Sequence, residues 1–132
     1  MTVYICLDDR GGMLFNGRRL SRDAALLADL AAGLPGVLTI DAFSEKLIAP
    51  AGISYVLAEE ELPEDAHFFA ENRDPETLLP LADTVVIYRW NRHYPSDVRW
   101  EGTPADHGFT LKETAEFPGK SHERITKEVY TR

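Results

Sequence analysis

The stretch Leu79-Pro80-Leu81-Ala82-Asp83-Thr84-Val85-Val86-Ile87-Tyr88 decides the fold class. Residues 84–88 are β-branched or aromatic in an unbroken run, with no polar residue at every second place. A strand of that kind is covered on both faces, as in the interior of a parallel sheet, rather than half-solvated as in most antiparallel ones. The residues ahead of it, Pro75 to Leu81, predict a brief helix, with proline where the missing N–H costs nothing. Residues 2–7 form a second apolar run, ended by Asp8-Asp9-Arg10-Gly11-Gly12, and read as another buried strand followed by a loop.

Working outward from these two strands, helix and strand signals alternate. Ser21 is the expected N-cap of a helix from Arg22 to about Ala32, stopped by Gly33. Val37 to Ile40 reads as a strand, and Asp41 as the cap of a short helix through Phe43 to Ile48, closed by Pro50. Ile53 to Ala58 and His67 to Ala70 are two more strands, separated by a solvated acidic loop. The tail changes character: Phe109 to Glu116 and Arg124 to Thr131 alternate and are joined by Phe117-Pro118-Gly119-Lys120-Ser121, the pattern of a long hairpin. The sum is an α/β chain with a mostly parallel open sheet, helices on both faces and a C-terminal antiparallel hairpin. No repeat or linker divides residues 1–132, so a single domain is expected.

Composition narrows the function classes. With 44% hydrophobic and 27% charged residues, the chain has the make-up of a globular protein able to build one core. Its net charge of −8 opposes loose association with nucleic acid or anionic membrane. No apolar run approaches the length of a membrane span and no leader pattern is present, so a cytoplasmic location is the expectation. The one cysteine, Cys6, lies in the first apolar run and reads as a small buried hydrophobe.

Several segments, in order, resemble the dihydrofolate reductase family. Gly11-Gly12-Met13-Leu14-Phe15-Asn16-Gly17 is similar to the family's glycine-and-asparagine loop after the first strand. Val37 to Ile48 resembles the strand and short helix carrying a Trp/Phe-Glu-Ser-like segment, here Phe43-Ser44-Glu45. Leu79 to Asp83 is similar to the family's Leu-Pro-x-Ala-Asp approach to a strand, and Arg124 to Tyr130 matches its closing strand in position and character. The resemblance covers nearly the whole chain, which is shorter than a usual member between its third and fourth strands. It implies the family's architecture.

The departures bear on function. In the family the fourth strand ends in a Gly-Gly pair that lets the backbone approach the cofactor pyrophosphate. Glu71 and Asn72 stand there in this chain, and a carboxylate repels a pyrophosphate. After the second strand the family carries a glycine and a basic residue, where Ile40 and Asp41 stand here. The resemblance, so altered, implies no conventional NADPH binding and hence no cofactor. Asp23 falls near the family's acidic residue that binds and helps to protonate the pterin, which makes it the candidate catalytic residue. Its plainer reading is an acid favoured by the first turn of a helix.

In that architecture the strand ends gather Asp8, Asp9 and Arg10, Ile40 and Asp41, Glu71 and Asn72, and Arg89, Trp90, Asn91 and Arg92, with Asn16, Arg18, Arg19 and Arg22 on the first loop. Ligands of open α/β sheets bind at this edge. The reading is a crevice for a small polar or aromatic ligand, with Trp90 and Tyr94 able to stack on a flat ring. The plainer reading is a set of interlocked ion pairs. A residual NADPH-dependent reductase, and an RNA- or protein-interaction module using the arginine-rich edge, are the alternatives.

The four histidines, His67, His93, His107 and His122, have no metal-binding spacing. His122, read as a strand residue, is expected at the surface. The segments Asp8 to Arg19 and Tyr88 to Pro95 also resemble short chains sometimes labelled ribonuclease Z. The two-zinc chemistry of that name needs a His-x-His-x-Asp-His motif, which this sequence lacks.

Overall fold

Each apolar run becomes a strand in the computed structural model, which describes residues 1–132. In chain order these are β1 (Thr2–Leu7), β2 (Gly12–Phe15), β3 (Arg18–Arg19), β4 (Leu38–Ile40), β5 (Tyr55–Leu57), β6 (His67–Ala70), β7 (Thr84–Arg89), β8 (Val98–Arg99), β9 (Thr110–Phe117) and β10 (Ile125–Thr131). The helices are α1 (Ala24–Gly33), α2 (Glu45–Ile48) and α3 (Pro75–Leu78). Seven strands form the main sheet in the order β5-β4-β6-β1-β7-β10-β9. All neighbours from β5 to β7 run parallel, and the β9–β10 hairpin joins antiparallel to β7.

Strand alternation sorts the core into two layers. Val3, Ile5 and Leu7 of β1 and Val85 and Ile87 of β7 face α3, β2, Trp100 and Phe109. Tyr4, Val86 and Tyr88 face the other way, onto Leu26 and Leu30 of α1 and Leu47 and Ile48 of α2. Leu26 and Leu30, four apart on one helix face, are each 1% exposed. Burial on that scale contributes about 1.5–3 kcal/mol per side chain. The doubly covered sheet explains why β1 and β7 read as unbroken apolar runs.

Three features differ from the sequence reading. Residues 12–19, expected as loop, form a β-hairpin that joins β8 in a small antiparallel sheet. Its two-residue turn is Asn16-Gly17, both with positive φ (51° and 71°), the backbone that a tight hairpin requires and that this pair adopts readily. The N-cap of α1 is Asp23 rather than Ser21: its side chain accepts from the N–H groups of Ala25 and Leu26. Asp41 does precede the second helical segment, but its carboxylate makes no cap and pairs with Arg73 instead.

Candidate functional site

Above the C-terminal ends of β1, β6 and β7, on the side covered by α1 and α2, lies a narrow cavity. Cys6, Ala70, Glu71 and Trp90 form its floor at the strand ends, and Arg19, Ser21, Asp23 and Leu26 are among the residues that close it. About 20 Å³ is open to the centre of a water-sized sphere, room for one or two waters and too little for an aromatic ring. Burial, reinforced by the nearby Glu71 charge, pushes the Cys6 thiol up, so it stays protonated in this wall.

A buried chain of hydrogen bonds runs along one side. Asp23 is 2% exposed and His122 4%, both nearly withdrawn from water. Asp23 Oδ1 accepts from the N–H groups of Ala25 (2.8 Å), Leu26 (3.4 Å) and Lys120 (3.0 Å). Its Oδ2 accepts from the N–H of Ser121 (2.8 Å) and from His122 Nδ1 (2.9 Å). A carboxylate has about four acceptor sites, so this one is saturated by the protein itself. Because Oδ2 only accepts, the network assigns the ring proton to Nδ1 and leaves Nε2 as the acceptor. Nε2 lies 2.7 Å from the Tyr94 hydroxyl and 3.2 Å from that of Ser21, and those two hydroxyls are 3.2 Å apart. Trp90 stacks on the His122 ring with centroids 4.6 Å apart and planes 25° from parallel. His122 is therefore not at the surface. The alternation that placed it there applies within a strand, and β10 begins only at Ile125.

Burial raises the Asp23 pKa, but the N–H of Lys120, the His122 ring and the N–H groups of Ser121 and Ala25 outweigh it and hold the carboxyl well below the usual range. Asp8 follows the same pattern. It is 1% exposed, and burial is outweighed by the N–H groups of Tyr94, Gly12 and Arg10 and by nearby His93. A carboxyl whose pKa is lowered on folding stabilises the fold above its unfolded pKa of about 4 and loses that contribution as pH falls below it. Urea midpoints should therefore stay level from pH 7 to 5 and drop steeply below about pH 4, and Asp23→Asn should flatten the drop; an unchanged slope in that variant would contradict it.

Close approach of the hairpin loop depends on Gly119. A Cβ there would lie 2.6 Å from both Asp23 Oδ2 and the His122 carbonyl oxygen. Gly119→Ala is expected to cost about 1–3 kcal/mol, read by chemical denaturation, because one of those contacts must open.

The structure separates the other expected site residues. Glu71 is held by Arg19 through Nε (2.8 Å) and Nη2 (3.0 Å) and by the Ser44 hydroxyl (2.7 Å). Arg19 also stacks its guanidinium 5.2 Å from the Phe43 ring centroid. This cluster fills the end of β6. Asn72 is exposed outside it, and Asp41 forms a two-point pair with Arg73 at 2.7 and 2.8 Å. Asp8 serves as a loop anchor. Asp9, Arg10 and Arg89 line a different groove, and Arg89 pairs with Glu128 at 2.8 Å. Asn91 has a φ of 57° and donates to Thr126 Oγ1 and the Arg124 carbonyl, while Asn16 serves the hairpin turn. Asn91 and Arg92, with His122, line a polar groove beside the hairpin loop. Arg18 and Arg22 are exposed and touch no carboxylate.

Sequence reasoning missed Ser44, Lys46 and the His122–Tyr94–Ser21 chain. One signal was available: seven residues, 118–124, separate β9 from β10. That is longer than a tight hairpin needs, and long loops in small domains often carry function.

A solved dihydrofolate reductase from Enterococcus faecalis, complexed with NADP(H) and RAB-propyl, superposes with a TM-score of 0.69 over 99% of this chain and 95% of its own. The chain has the dihydrofolate reductase fold. Identity to that enzyme is 11%, so the dihydrofolate reductase framework is shared while the side chains at the strand ends are this chain's own. No protein-family model matches the sequence, and no curated protein matches it as a relative. No three His, Cys, Asp or Glu side chains gather to hold a metal ion, and no helix is long and apolar enough to cross a membrane.

Proposed function

We propose that this chain binds a small polar or aromatic ligand at the mouth of the strand-end crevice, and that it does so without seating NADPH in the manner of dihydrofolate reductases. The observation that carries the reading is the Arg19–Glu71–Ser44 cluster at the end of β6. A pyrophosphate approaching there meets a carboxylate in place of bare glycine backbone, and the two arginines at that strand end, Arg19 and Arg73, are already paired with Glu71 and Asp41. The residues present do not fit that group.

The hydrogen-bond chain supplies what chemistry the crevice has. Asp23 has no free acceptor site for a ligand, so its part is to position the His122 ring and fix its tautomer. Ser21 and Tyr94 then form the polar end of the chain, and Ser21 also lines the cavity. A proton given up by a bound ligand passes through a hydroxyl to His122 Nε2, the general-base arrangement of an imidazole oriented by a carboxylate. The cavity itself is too small for a ring, so a flat ligand lies at its mouth, against Ser21 and Arg22.

The test is a nuclear magnetic resonance titration of the whole chain with a pterin, benzoate and indole as probes. At least one is expected to shift the Trp90 indole N–H together with the amides of Ser21, Arg22 and Lys120. If none moves those signals, or if the shifts gather on β5 or β9, the reading fails.

A further inference from the structure

The broad groove outside the crevice runs between the β2–β3 turn and α2, and it has an unusual lining. Its walls are Gly17, Arg18, Arg19, Ser21 and Arg22 on one side and Ala42, Phe43 and Lys46 on the other, with Ser121 at one end. Four of the nine residues are cationic and none is acidic, although acids outnumber Lys and Arg by 22 to 14 in the chain. About 1010 Å³ of the groove is open to water-sized spheres, so the space is ample for a small molecule. Arg19 is neutralised from behind by Glu71, which lies in the inner cavity and not in the groove. Arg18, Arg22 and Lys46 are exposed and form neither a salt bridge nor a side-chain hydrogen bond. Three like charges around one concavity repel one another, and a bound anion relieves that repulsion. Phe43, half-buried under the Arg19 guanidinium, and Ala42 give the floor an apolar patch.

We propose that this groove binds a small molecule bearing two or more negative charges, as phosphate or carboxylate groups, and sets it beside the Ser21 hydroxyl. The proposal rests on the crevice reading above and names its ligand class. The anionic groups take Arg18, Arg22 and Lys46, the carbon frame lies over Phe43, and Ser21 with Ser121 supplies hydrogen bonds at the inner end. A nucleic acid is the wrong size of partner: the cations form one short cluster on a surface whose net charge opposes an extended phosphate backbone.

Isothermal titration calorimetry of the whole chain tests this with inorganic pyrophosphate, citrate and a neutral triester of citrate as probes. Pyrophosphate or citrate is expected to bind and the triester not to, with affinity falling as salt is raised. Arg22→Ala and Lys46→Ala should each weaken binding about tenfold, as expected for loss of one unit charge near the anion. Lys112→Ala on the remote β9 should change nothing. Both groove side chains are exposed and unbonded, so these variants should fold as the wild type does, which thermal melting checks.

Absence of binding by both anions, or wild-type affinity retained in both Arg22→Ala and Lys46→Ala, overturns the proposal. So does tighter binding of a twenty-nucleotide RNA than of either anion, which points to the interaction-module alternative. The crevice reading can fail separately. If anions bind through Arg22 and Lys46 while no aromatic probe shifts Trp90, the groove stands without the crevice. If a probe shifts Trp90 and no anion binds, the crevice stands without the groove.

Discussion

Asp23→Ala is expected to destabilise the protein by about 3–5 kcal/mol, the largest effect of any single change considered for this chain. Three losses combine. The α1 N-terminus loses its cap, worth about 1 kcal/mol. The N–H groups of Lys120 and Ser121 lose their acceptor, and the part-buried hairpin loop is no longer tied to the helix. His122, 4% exposed and stacked on Trp90, loses the partner of its Nδ1 proton. Asp23→Asn keeps the volume and one oxygen but turns an N–H toward groups that need an acceptor, so it should recover only part of the loss. Urea denaturation at pH 7 measures both. A cost below about 1 kcal/mol for the alanine variant would mean that the loop is held by other contacts.

The second large effect is a coupling. Arg19→Ala leaves Glu71, whose side chain is 9% exposed, with only the Ser44 hydroxyl as a partner. Breaking a fully buried pair from one side costs about 3–5 kcal/mol; with Arg19 24% exposed, solvent screening lowers the expected figure to about 2–3 kcal/mol. Glu71→Ala strands a guanidinium that water can partly reach and should cost about 1–2 kcal/mol. The double variant should be more stable than the sum of the single losses implies, by about 1–2 kcal/mol. Costs that add within about 0.5 kcal/mol would show that the two side chains are neighbours without being a unit.

The framework was legible where local signals and the global fold agree. The unbroken runs at residues 2–7 and 84–88 give the central pair β1 and β7, and the change to alternation after residue 109 gives the terminal hairpin. The Asn16-Gly17 pair carries the signal of the first hairpin, but the strand that follows it is only Arg18-Arg19, which has no apolar run to mark it. The cap of α1 could not be settled from sequence, since Ser21 and Asp23 are both good caps two residues apart. What selects Asp23 is the arrival of Lys120 and Ser121 from nearly a hundred residues away. The same distance in sequence hides the His122–Tyr94–Ser21 chain, whose members come from three separate loops. Ion pairing explains the rest. Asp41, Glu71 and Arg89 sit at strand ends as expected, yet each has a dedicated partner from elsewhere in the chain, so the expected single cluster of mixed charge divides into separate pairs.

Calorimetric titration of the wild-type chain with NADPH, beside the Glu71→Gly/Asn72→Gly variant, tests the central claim most directly. With the strand-end seat filled by Arg19 and Glu71, the wild type should hold NADPH no more tightly than it holds pyrophosphate in the outer groove, and only the glycine variant should gain affinity beyond that. A wild-type affinity for NADPH at least about tenfold tighter than for pyrophosphate, and unchanged by Arg22→Ala, would contradict this, because the cofactor would then be seated at the strand ends with the cluster in place.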